Sequence, residues 1–134
     1  MLLQYPPTRQ RDDEGLASML EALPAGLAFA VEFRHDSWVE PEVFDCIAER
    51  GGTVCISETS GAVLDRLPPG PFAYVRLRAD RYSAEARDGW WDLLQREAAD
   101  RAVYAFAKHE GIPAGDPFGG IGLAEWLVGR IAAA

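Results

Sequence analysis

Apolar residues recur along the chain with two periods that take turns. Leu2 to Tyr5 is a brief β-type run, cut by Pro6-Pro7. Leu16, Met19, Leu20 and Leu23 then recur at helical spacing, behind Asp12-Asp13-Glu14, acidic side chains that suit a helix N-terminus. Pro24-Ala25-Gly26 stops that helix. Leu27 to Phe33 alternates with period two: Phe29, Val31 and Phe33 share one face, Ala28, Ala30, Glu32 and Arg34 the other. Pro41 opens a helix striped by Val43, Phe44, Ile47 and Ala48, and Gly51-Gly52 ends it. Thr53 to Ser57 is β-rich and runs into Glu58. Leu64 to Pro71 is a loop of strong breakers. Phe72 to Leu77 is a strand, with Tyr74, Arg76 and Arg78 of one parity. Ser83 caps a helix from about Ala84 to Ala99, Ala102 to Ala107 is the last strand, and Ile121 to Ile131 the last helix.

Strand and helix thus alternate about five times, which predicts an α/β fold with about five parallel strands and four or five helices. Right-handed crossovers put the carboxyl ends of such strands on one side, where sites form. The residues expected there are Gln4 and Tyr5, then Glu32, Arg34 and His35, then Ser57 and Glu58, then Arg76 and Arg78, then Lys108, His109 and Glu110. Arg76 and Arg78 suit a phosphate or carboxylate, with Glu32 to orient them. The same charges can also satisfy one another as a salt-bridge layer. His35 reads as a general acid or base, or as a histidine capping the helix that follows. Glu32, His35, Lys108 and His109 are the candidate catalytic residues, and Arg34, Glu58, Arg76 and Arg78 the candidate binding residues.

Composition narrows the partners. The chain has 134 residues, too few for a complete (β/α)8 barrel of about 250. Its 13 basic and 21 acidic side chains leave a net charge of −8, which disfavours nucleic acid. The excess lies in the first 70 residues, which hold 5 basic against 12 acidic side chains. Lys108 is the sole lysine. Cys46 and Cys55 fit buried thiols of a reducing cytoplasm better than a disulfide framework. No run is long enough to span a membrane and no targeting segment opens the chain. P-loop, dinucleotide and nucleophile-elbow motifs are missing, and no spacing suggests a metal, so no metal or cofactor is expected.

Val31-Glu32-Phe33-Arg34-His35-Asp36-Ser37-Trp38 resembles the V-E-F-R-H-x-S-W signature of the YecE-like family, domain of unknown function 72. Tyr74 to Arg78 with Arg81-Tyr82-Ser83 is similar to that family's Y-V-R-L-R/H and R-Y-S segments, and Tyr104 to Glu110 to its Y-x-Y-F-K-H-E ending, with Ala107 in place of an aromatic. The resemblance implies a TIM-like barrel of which residues 1–134 are a single partial domain, the C-terminal half. It points to the same strand-end residues. Three functions follow as expectations: an anion- or phosphate-binding barrel enzyme, a nucleic-acid-processing or binding barrel, or a truncated fragment without independent activity. Such a fragment would form a homodimer or take up a separate N-terminal half.

Overall fold

The computed structural model describes residues 1–108 and 110–134. Five strands, β1 (Leu2–Gln4), β2 (Phe29–Glu32), β3 (Gly52–Glu58), β4 (Phe72–Leu77) and β5 (Ala102–Ala107), form one sheet in the consecutive order β1-β2-β3-β4-β5. The sheet is parallel, as the alternation predicts. Its helices are α1 (Asp13–Ala22), α2 (Pro41–Glu49), α3 (Ala84–Ala98) and α4 (Gly120–Ala133). Among the described residues no helix is long and apolar enough to cross a membrane. The fold divides into two compact units, Met1–Ile56 with Pro68–Tyr74, and Ser57–Leu67 with Val75–Ala134.

In the first unit the alternation of β2 separates two environments. Phe29 and Val31 join Leu16 and Leu20 of α1, Val43 and Ile47 of α2, Val54 and Trp38 in one buried cluster. Each such side chain contributes about 1.5–3 kcal/mol by leaving water. Ala30 and Glu32 turn to the opposite face. Register carries that face to the neighbours: Leu2 pairs with Ala30 and Gln4 with Glu32, while Ala30 pairs with Thr53. Gly52 is small for a reason of packing, since a Cβ there would lie 2.4 Å from the Phe29 ring. Asp12 caps α1 by accepting the Gly15 N–H at 2.9 Å, and Pro41 stands in the first turn of α2. Gly51, at φ 83°, takes the left-handed turn that ends α2.

The stretch around β2 departs from the sequence expectation. β2 starts at Phe29 and not Leu27, because the Leu27 N–H closes a turn on the Pro24 carbonyl at 3.3 Å. A 3-10 turn over Asp36–Trp38 interrupts the stretch before α2.

In the second unit Val75 and Leu77 of β4 are buried, as are Trp90, Trp91, Leu93 and Leu94 of α3 and Leu123 of α4. Ser83 caps α3 through the Ala86 N–H at 3.0 Å. The Trp90 indole donates to the Ala62 carbonyl at 3.0 Å. Stacked cations and rings line the seam between α3 and α4. The Arg87 guanidinium lies 4.1 Å from the Trp126 ring centre and 4.6 Å from that of Phe118, and Trp91 meets Trp126 edge-on.

Candidate functional site

Glu32 ends β2 with its carboxylate on the polar face of the sheet and no exposed surface. A buried carboxylate is tolerated only when donors surround it. Its Oε1 accepts from Gln4 Nε2 at 3.3 Å and from Arg34 Nε at 3.1 Å, and the Cys55 thiol reaches its Oε2 at 3.6 Å. Register explains the first of these contacts, since Gln4 is the β1 partner of Glu32. Neither Gln4 nor Cys55 was singled out as a site residue. The available signal was their parity, which puts both on the Glu32 face once strand pairing is known.

His35 stands three residues beyond β2 at the start of the 3-10 turn. Its Nδ1 accepts the Ser37 N–H at 3.2 Å and lies 2.9 Å from the Ser37 hydroxyl oxygen, which accepts the Arg11 N–H at 2.7 Å. An accepting Nδ1 puts the ring proton of the neutral form on Nε2. Phe33 stacks on Trp38 at 4.5 Å, Tyr5 meets both rings edge-on, and the Trp38 indole donates to the Arg9 carbonyl at 2.8 Å. Much of the stretch from Phe33 to Trp38 therefore shapes the exit of β2.

In the second unit the ends of β3, β4 and β5 lie side by side. The Arg78 N–H donates to the Glu58 carbonyl at 2.7 Å, and the Lys108 N–H to the Leu77 carbonyl at 3.0 Å. Glu58 is buried and its carboxylate is fully engaged. Oε1 accepts the Ser60 N–H at 2.5 Å, the Ser60 hydroxyl at 2.6 Å and the Gly61 N–H at 2.9 Å, and Oε2 accepts the Tyr82 hydroxyl at 2.6 Å. Burial alone pushes this carboxyl up, but the four donors outweigh it and hold it below the usual carboxylate range. The Tyr82 phenol is pushed well above its ordinary value, by burial first and then by its bond to Glu58.

Arg78 is half-buried. Its Nη1 donates to the Ser57 hydroxyl at 3.3 Å, and among the described residues no carboxylate pairs with it. Arg76, two residues earlier on β4, shares its parity and is also half-buried. Lys108 Nζ contacts Asp80 Oδ1 at 2.7 Å, and the Asp80 side chain is 84% exposed. That ammonium holds the Asp80 carboxyl below its usual range. His109 lies outside the described residues. Among the described residues no three His, Cys, Asp or Glu side chains gather closely enough to hold a metal. The structure thus groups the candidates as Glu32 with Arg34 in one unit, and Glu58, Arg78 and Lys108 along adjoining strand ends in the other.

No curated protein matches the chain. Two solved structures share its fold. A DUF72 family protein from Enterococcus faecalis V583 superposes with a TM-score of 0.68 at 13% identity, over 100% of this chain and 61% of its own. A DUF72 family protein from Thermotoga maritima MSB8 gives 0.67 at 20% identity, over 98% of this chain and 56% of its own. The chain therefore spans less than two thirds of the length of either. Residues 1–115 match the family described as protein of unknown function DUF72. The strand-end signatures and the family match agree, and the chain belongs to the DUF72 family.

Proposed function

We propose that the chain binds a small anion of the phosphate class at the carboxyl ends of β4 and β5. One observation carries this reading. The Arg78 guanidinium sits half-buried on the polar side of a strand end, and its described partner is a neutral hydroxyl. A guanidinium offers five N–H donors in a planar fork that matches a tetrahedral oxyanion. Lys108, on the neighbouring strand end, adds a second charge, and the carboxylate it now contacts is open to solvent and exchangeable. The consecutive strand order is one that a (β/α) barrel would have, and in such barrels ligand sites form at strand carboxyl ends. Glu58 is assigned the role of holding the loop after β3, because all its described acceptor contacts are internal. Glu32 and His35 receive no proton-transfer step in this reading.

Sulfate, doubly charged across the neutral range, is the probe. Titration calorimetry at constant ionic strength, with chloride as the control, should show saturable binding by the native chain. Arg78→Ala should weaken it by about tenfold or more, the usual consequence of losing a charge-assisted contact. Equal affinity in the native chain and in Arg78→Ala would overturn the proposal.

A further inference from the structure

The loops that follow β3, β4 and β5 meet at one residue. Tyr82 is 1% exposed. Its hydroxyl donates to Glu58 Oε2 at 2.6 Å and accepts the Ala79 N–H at 3.3 Å. Its own backbone N–H donates to the Phe118 carbonyl at 2.7 Å. Through Glu58 it reaches the Ser60 hydroxyl and the N–H groups of Ser60 and Gly61. Arg78 is fixed from both sides of this node. Its N–H is bonded across to the Glu58 carbonyl, and Ala79, the next residue, is bonded to the Tyr82 hydroxyl.

We propose that Tyr82 is a positioning residue of the anion site, touching no ligand itself and setting the direction of the Arg78 side chain through Glu58 and Ala79. The inference rests on the anion-binding reading. Its physical basis is that the phenol uses both a donor and an acceptor in a space closed to water. Without the hydroxyl, Glu58 Oε2 and the Ala79 N–H lose a partner that no water replaces cheaply. The peptide after Arg78 is then free to turn. The 3.3 Å bond to Ser57 is a weak tether for the guanidinium. A planar fork loses its paired contacts when its plane tilts, whereas a lysine ammonium, a point charge on a flexible stem, does not. Tyr82 therefore matters to an arginine at position 78 and hardly at all to a lysine.

Sulfate titrations of the native chain, Tyr82→Phe, Arg78→Lys and the double variant test this, well below the melting temperature of each. Tyr82→Phe keeps the buried ring and changes no charge near neutral pH. It should weaken sulfate binding about fivefold to twentyfold, while in the Arg78→Lys background the same change should cost less than about twofold. Native affinity in Tyr82→Phe, or equal losses in both backgrounds, overturns the positioning role and leaves the anion site standing. Failure of the native chain to bind sulfate overturns both. If Tyr82→Phe does not fold, Glu58→Gln weakens the same bond from the other side, replacing its charged acceptor with a neutral amide. Removing a negative charge would by itself tighten anion binding, so a loss of affinity in Glu58→Gln supports the role and a gain overturns it.

Discussion

The pair Glu58–Tyr82 couples the stability of the second unit to pH at both ends of the scale. Glu58 has a folded-state carboxyl below its ordinary value of 4.5, so its contribution is present above about 4.5 and is lost as the pH falls through the folded value. Tyr82 has a phenol raised above 10.0, so its contribution is full below about 10 and is lost as the pH rises beyond it. Tyr82→Phe removes the hydroxyl and leaves Glu58 one donor short. The variant should be less stable than the native chain by about 1–3 kcal/mol near neutral pH. In denaturant melts across the pH range, that difference should hold between about pH 6 and 9 and shrink below about 4.5 and above about 10. A difference independent of pH would mean that the two groups are not coupled. Neither partner of the bond advertises this role in the sequence. Glu58 is visible as a charge at a strand end, but Tyr82 is a lone aromatic in a loop, and only the fold shows which carboxylate its hydroxyl meets.

Helix α4 offers a matched pair of glycines whose neighbours differ. At Gly122 a Cβ would fall 2.2 Å from the Asp116 backbone oxygen, whereas at Gly129 nothing lies within 4 Å. Alanine favours a helix over glycine by about 0.8–1 kcal/mol at either position. Gly129→Ala should therefore raise the melting free energy by about that amount. Gly122→Ala should lower it by about 1–3 kcal/mol, because backbone and not a movable side chain must give way. Thermal melts of the two variants check the opposite signs. The elements themselves were legible because their periods, caps and breakers are local. Phe72–Leu77 and Ala102–Ala107 can be read directly from alternation, and Asp12, Ser83 and Pro41 mark helix starts. The 3-10 turn over Asp36–Trp38 was not legible, because it is made by His35 bonding to Ser37 and by burial of the Trp38 indole, both outcomes of folding. For the candidate site, the residues standing at strand ends could be named from sequence. Which of them meet depends on register, so the contact of Gln4 with Glu32, and the presence of Cys55 beside it, came only with the strand pairing.

Charge taken over all 134 residues weighs on the proposed class of partner. The net −8 is not merely a surplus of acids. Among the described residues, Arg9, Arg11, Arg34, Arg81, Arg87, Arg101 and Lys108 already sit in ion pairs with carboxylates of the same chain. Duplex DNA must displace such carboxylates and overcome the repulsion of the rest, and its non-specific affinity comes from several cations neutralising phosphates at once. A single small anion needs only the local field at one strand end, where Arg78 has no carboxylate partner among the described residues and Arg76 and Lys108 are near in sequence register. On the proposed reading the same protein would repel a polyanion and hold a monoanionic or dianionic group. A short fluorescent duplex at about 50 mM salt, where electrostatic binding is strongest, should show no complex in anisotropy titrations. Sulfate should bind under the same conditions. A DNA complex whose affinity falls steeply with added salt would show that a basic surface prevails over the net charge, and would turn the reading of the strand-end cations from a small-molecule site to a backbone-phosphate contact.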